Sequence, residues 1–215
     1  MKRFLLITRH KDIHSKKLVE ELKKKFIFDI LWSKKIGEKI IIKKKYEFIF
    51  CFRSYYILKK NDLKKSSINA INFHPGPPKY RGVGCANFAL LNDEKFYGIT
   101  CHIINEKIDN GKIIFYKKFK IHKKNDLKDL LDKTHKELLL VAKKLIPKIV
   151  KDYKIIPRLK KKFEKKKWSK ILYTKSILDN LYKINYKTPK NKIKKILRAT
   201  YLRNSKYKPI IEYKD

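Results

Sequence analysis

Three polar residues in the middle of the chain have types and spacing suited to chemistry: Asn72, His74 and Asp109. They sit in Ile71-Asn72-Phe73-His74-Pro75-Gly76-Pro77-Pro78-Lys79-Tyr80-Arg81-Gly82 and in Ile108-Asp109-Asn110-Gly111. Asn72 and His74 alternate at the end of an apolar run, so on a strand both point to one face while Phe73 turns to the other. Pro75 and Gly76 then stop the strand and leave backbone space for a ligand. Asp109 precedes a glycine-containing turn and can approach the imidazole from a neighbouring element. An amide donor, an imidazole and a carboxylate on one rim suit acyl transfer to an amine. The Asn72 amide can stabilise a developing oxyanion. His74 can move a proton between attacking amine and leaving group, and Asp109 can orient and charge the histidine. Each residue also has a plain reading. A histidine before proline at a strand end is often a satisfied turn residue, Asn72 can cap a turn, and Asp-Asn-Gly is a natural turn former.

The elements that must hold these residues read as an α/β domain. Residues 3–8 form an apolar run that reads as a buried parallel strand. Asp12 or Ser15 can cap a following helix with Leu18, Val19 and Leu22 on one face. Phe26 to Trp32 and Glu47 to Phe52 read as strands, Lys39 to Lys45 as an edge strand or a loop, and Ile57 to Lys65 as a turn or short helix. Ile68 to Phe73 is a strand ending on the motif; Tyr97 to Ile104 and Lys112 to Ile121 are two more, joined through Asp109-Asn110-Gly111. Asn125 is expected to cap a long amphipathic helix carrying Leu127, Leu130, Leu131, Leu138, Val141, Ala142 and Leu145, which Pro147 kinks or ends. The alternation predicts a largely parallel sheet. Ligands of such sheets bind beyond the carboxyl ends of the strands, where Asn72 and His74 lie. Lysine runs at 160–162 and 165–167 read as a solvated linker, followed by an amphipathic piece (Ile177, Leu178, Leu181) and a terminal segment from Ile196 to Tyr213. The expected division is a catalytic domain over 1–150 and a basic linker with a small C-terminal extension over 151–215.

Composition sets the outer limits. A chain of 215 residues, 43% hydrophobic and 13% aromatic, buries a sizeable core and is no disordered basic tail. The formal net charge of +38 invites a nucleic-acid reading. Only seven of the 58 basic residues are arginine, however, and with abundant Ile, Asn, Tyr and Phe this is the mixture that A/T-rich codons produce. Arginine is the better bidentate reader of phosphate, so lysines spread along the whole chain argue weakly for specific recognition. A non-enzymatic basic nucleic-acid-binding protein would account for the lysines but not for the arrangement of Asn, His and Asp. Cys51, Cys85 and Cys101 lack metal-type spacing, which points to a reduced, cytoplasmic chain with no metal. The opening apolar run is too short for a signal peptide, and no segment reaches bilayer-spanning length, so no membrane is expected.

Taken together, Asn72-Phe73-His74-Pro75, Tyr80-Arg81-Gly82, Gly98-Ile99-Thr100-Cys101-His102 and Asp109-Asn110-Gly111 resemble the N10-formyltetrahydrofolate-dependent formyltransferases in order and spacing. That pattern runs Asn-x-His-Pro, Tyr-Arg-Gly, Gly-x-Thr-x-His and Asp-x-Gly before an apolar strand, and the likeness covers roughly residues 47–146. The resemblance implies transfer of a formyl group from N10-formyltetrahydrofolate, with Asn72, His74 and Asp109 as the catalytic residues. It implies a folate pocket at Tyr55, Tyr56, Ile57 and Leu58, joined by Ile108, and an acceptor side at Tyr80, Arg81 and Gly82. Two departures stand out. The loop after His74 is one residue shorter than the usual form, and only 71 residues precede Asn72. The fold implied is therefore α/β, a formyltransferase-type Rossmann-like sheet, mostly parallel, trimmed by about one βα unit, with a short C-terminal extension.

Three acceptor branches of the family compete. The glycinamide ribonucleotide enzymes open with a glycine-rich phosphate loop, whereas Thr8-Arg9-His10-Lys11-Asp12 has no glycine there. The methionyl-tRNA enzymes carry a C-terminal β-barrel, for which the 65 residues after Val150 are too few. The sugar enzymes manage with a short extension, and Ile196 to Tyr201 resembles the Arg-Ala-aromatic segment that follows the core in several relatives. The expected acceptor is therefore a nucleotide-linked amino sugar, with tRNA as the alternative partner; a homodimer is compatible with either.

Overall fold

The computed structural model describes residues 3–203 and 208–212. The chain opens β1 (Phe4–Arg9), α1 (Ile13–Lys23), β2 (Phe28–Ser33), β3 (Tyr46–Phe52), α2 (Lys60–Leu63) and β4 (Ser66–His74). There follow β5 (Arg81–Gly82), α3 (Cys85–Leu91), β6 (Phe96–Ile103), β7 (Ile113–Lys120) and α4 (Leu127–Lys151). The remainder is α5 (Ile155–Lys162), β8 (Leu172–Tyr173), α6 (Lys175–Leu181), β9 (Lys183–Asn185), α7 (Lys190–Thr200) and β10 (Ile210–Glu212). Tyr213, where the expected terminal segment ends, lies outside the described residues.

Six strands form the central sheet in the order β2-β1-β3-β4-β6-β7. The first four are parallel; β6 and β7 run antiparallel to their neighbours. Near-continuous apolar runs build the parallel half because both its faces are covered. On one face α1 and α4 bury Leu18, Leu22, Leu138, Ala142 and Ile146 against Phe4, Leu6, Phe50 and Phe73. On the other, Leu5, Ile7 and Ile49 pack with Ile42 and Leu58. Each fully buried Leu or Ile contributes about 1.5–3 kcal/mol relative to exposure. The 34–45 segment, which joins β2 to β3, is a loop with no helix, and Ile42 alone in it is buried.

Local chemistry explains where the elements depart from expectation. Asp12 caps α1 by accepting from Ser15 N at 2.8 Å. The cap of α4 is Asp126, not Asn125, because only Asp126 has an Asp three residues on to complete a reciprocal box with Asp129. Asn125 instead accepts from His122 N in the preceding turn. Pro147 does not end α4, which runs on to Lys151. Proline removes one helical hydrogen bond, and burial of Ile146, Ile149 and Val150 holds the last turn. The lysines of 160–162 and 165–167 are mostly exposed, yet this stretch is not a plain linker. It contains α5, Phe163 packs 5.9 Å from the Phe115 ring, and α7 docks on α3, where Asn87 Nδ2 donates to Ala199 O at 2.7 Å.

Candidate active site

The carboxyl end of β4 carries Asn72 and His74 on one face, with Phe73 buried behind them at 1% exposure. Antiparallel pairing of β4 with β6 sets Asn72 directly opposite His102. The turn after β6 brings in Asp109 with φ 42°, a left-handed backbone that Asp tolerates better than most residues. Asp109 is held there by Gly82 N, which donates to its Oδ2 at 2.9 Å, and by Arg81. The Arg81 guanidinium donates to the Asp109, Ile108 and Ser169 carbonyls at 2.8, 2.8 and 3.0 Å. Gly111 lets the turn close, since a Cβ there would lie 1.6 Å from Ile103 O.

Asp109 is the hub of the cluster. Its Oδ2 lies 3.3 Å from His74 Nδ1, and its Oδ1 lies 3.3 Å from both His102 Nε2 and Asn72 Nδ2. Asn72 Nδ2 also lies 3.2 Å from His102 Nε2, whose Nδ1 faces Ile103 O at 3.1 Å. His74 Nε2 faces the Tyr80 carbonyl at 2.9 Å. A ring holding a single proton thus faces two acceptors, Asp109 and Tyr80 O, and is placed to take up a second. The histidine side chains are only 3% exposed and Asp109 10%, so desolvation counts. Burial lowers the His74 pKa below its usual value, against the pull of Asp109 and the Tyr80 carbonyl. Burial alone would raise the Asp109 carboxyl, but His74, His102 and Gly82 N outweigh it and hold the carboxylate well below its ordinary range. The cluster therefore keeps an ionised carboxylate beside an imidazole that favours its neutral form.

A cleft of about 600 Å³ opens on this rim. Asn72, His74 and Asp109 line it together with Tyr55, Tyr56, Ile57, Leu58, Ile108 and Gly82. Its lip is apolar: Ile57 is 62% exposed and Ile108 41%. Tyr80 and Arg81 are placed differently. Tyr80 is buried with its hydroxyl donating to Glu94 at 2.9 Å, and the Arg81 guanidinium is occupied by three carbonyls. Both brace the loop. Arg9 and Arg53 also line the cleft, Arg9 lying 4.0 Å over the Tyr55 ring.

Two residues at the centre escaped the sequence reading. His102 stood in the Gly98–His102 motif without a role, because its contact depends on cross-strand register. Trp168 gave no signal at all. Its ring lies perpendicular to His74 and His102, with centroids at 5.6 and 5.0 Å, and its Nε1 donates to Gly111 O at 2.8 Å.

Known proteins share this fold and much of its sequence. A family profile described as formyl transferase matches residues 34–147. The chain is 31% identical over 148 residues to the methionyl-tRNA formyltransferase of Thermodesulfovibrio yellowstonii, covering 67% of this chain and 45% of that protein. It spans less than half the length of the curated relatives it matches. Among solved structures, a sugar N-formyltransferase from Shewanella superposes with a TM-score of 0.72 at 18% identity, over 97% of this chain and 92% of that one. An N-formyltransferase from Helicobacter canadensis, in complex with folinic acid and dTDP-3-aminofucose, gives 0.68 at 21% identity, over 93% and 80%. At these identities the structures speak for the fold, and the profile match spans more than half of the chain together with Asn72, His74 and Asp109. The chain belongs to the formyl transferase family.

Proposed function

We propose that this chain transfers a formyl group from N10-formyltetrahydrofolate to the primary amine of a nucleotide-linked amino sugar. The observation that carries the reading is the convergence of Asn72, His74 and Asp109 within 3.3 Å on the wall of one cleft. The folate supplies the formyl carbon and departs as tetrahydrofolate. Asn72 offers its amide hydrogens to the formyl oxygen as that oxygen gains negative charge, in place of one of its present partners. His74 takes the proton that the attacking amine loses and returns it to the departing nitrogen, so protons balance over the turnover. Asp109 fixes the ring and stabilises its charged form. Tyr55, Tyr56, Ile57, Leu58 and Ile108 would seat the flat reduced pterin against the apolar lip. Tyr80, Arg81 and Gly82 would brace the acceptor side.

One feature supports the sugar acceptor: a fold shared over nearly the whole of this chain with sugar N-formyltransferases. A second reading, methionyl-tRNA as acceptor, is favoured by the identity to methionyl-tRNA formyltransferases and the net charge of +38. The test offers formyltetrahydrofolate with either dTDP-4-amino sugars or methionyl-tRNA and follows tetrahydrofolate release. Turnover with the sugar nucleotide alone is expected. Turnover with methionyl-tRNA alone would reverse the acceptor assignment, and an active Asn72→Ala/His74→Ala double variant would sink the mechanism.

A further inference from the structure

Residues 168–169, beyond the segment matched by the family profile, staple together the two pieces of chain that carry His74 and Asp109. Trp168 Nε1 donates to Gly111 O on the Asp109 turn at 2.8 Å. Ser169 N donates to Pro78 O at 2.9 Å on the loop that follows His74. The Ser169 carbonyl accepts from Arg81, the same guanidinium that grips the Ile108 and Asp109 carbonyls. Just downstream, Leu172 and Tyr173 of β8 pair with Arg81 and Gly82 of β5. The Trp168 ring then covers both imidazoles at 73° and 83° to their planes. Trp168 also lines a second cavity of about 600 Å³, together with Lys112, Lys160, Lys161, Lys166 and Lys167. The indole is a wall between a lysine-rich cavity and the histidine pair.

We infer that Trp168 is a positioning residue. It sets the planes of His74 and His102 against Asp109 and keeps water and lysine ammonium groups away from that side of the cluster. Perpendicular ring pairs are favoured over face-to-face stacks, and one bulky ring packed on two imidazoles removes their freedom to rotate away from Asp109. The groups facing His74 are Asp109 from the turn, His102 from β6, the Tyr80 carbonyl from the loop, the Cys85 thiol from α3 and Trp168 itself. Burial is the largest influence on the His74 pKa, so hydration after loss of the indole should carry its titration back up toward the ordinary histidine value.

The test uses Trp168→Ala, Trp168→Leu and Trp168→Phe in the full chain, with imidazole nitrogens read by NMR over a pH series. In the Ala and Leu variants the His74 midpoint should rise, while Phe, which restores a ring, should return it close to wild type. Because this readout needs no turnover, it stands apart from the formyl-transfer reading on which the functional part of the inference rests. Where turnover is measured, kcat should fall by roughly 10²-fold in the Leu variant, the cost of a misplacement near 1 Å, with KM little changed. A folded Leu variant with wild-type midpoints and wild-type kcat would overturn the inference, even where the Ala variant fails to fold. So would a Phe variant as impaired as Leu.

Discussion

Two partly buried carboxylates, each with histidines nearby, contribute to or brace the walls of the same cleft, and they are used in opposite ways. Asp12 meets a permanent cation. Arg53 donates to it at 3.1 and 2.7 Å, and Ser15 adds its N–H and hydroxyl at 2.8 and 2.9 Å. Burial there raises the carboxyl, but Arg53 and Ser15 bring it down to about 2. His14 and His135 pack with ring centroids 5.6 Å apart beside this pair. Burial and the Arg53 charge push His135 down to about 3, with His14 adding to the shift. Among the described residues, the Asp109 carboxylate itself bonds to groups that are neutral or can titrate: two imidazoles, an amide and a backbone N–H. A carboxylate matched to an arginine is a structural tie whose charge is already answered. One surrounded by imidazoles and amides can still meet a charge that appears during a reaction.

The sharpest way to break this contrast is to neutralise both carboxylates. Asp109→Asn should lower kcat by roughly 10³–10⁴-fold, the scale seen when a histidine loses its orienting carboxylate, with circular dichroism unchanged. Asp12→Asn should spare most of kcat in the chain that stays folded. It should instead cost about 3–5 kcal/mol in denaturant titration, because Arg53 is left buried and uncompensated. If Asp12→Asn abolished turnover without loss of stability, the two carboxylates would not divide their labour in this way. Next in size, His102→Gln should slow turnover by up to roughly 10²-fold by letting the Asn72 amide drift, with folate binding measured by fluorescence little altered. The smallest effect concerns acid. His135 is held neutral by the fold, so its contribution is complete above the unfolded value near 6.5 and is lost as pH falls towards about 3. His135→Leu should flatten the decline of melting temperature across that window; a slope identical to wild type would remove His135 from the account.

The legible part of this molecule is the part built from local pattern. The β4 run from Ser66 to His74 announces both a strand and its exit, and alternation places Asn72 and His74 on one face with Phe73 behind. The parallel half of the sheet follows from the same short-range logic. What stayed hidden depends on partners distant in sequence or on choices between near-equals. His102 matters because register sets it opposite Asn72, 30 residues away. Trp168 matters because of a hydrogen bond across 57 residues. The cap of α4 turned on two adjacent Asx residues, only one of which has Asp129 at the right offset. The seven-residue α3, with a Gly84 cap and no polar face, lacks the periodicity by which a helix is read.

The tie between Arg81 and Ser169 spans 88 residues, and this has a consequence for the order in which the protein is made. At ribosomal speeds of about 5–20 residues per second, the loop after His74 leaves the synthesis machinery on the order of 10 s before its staple exists. During that interval the sheet can form while the rim that carries His74 and Asp109 stays wet and loose. The cluster around His74 and Asp109 would then be braced only after residue 169 has been made. A chain ending at Lys167 should accordingly lose protection of residues 78–82 against protease before it loses its strands.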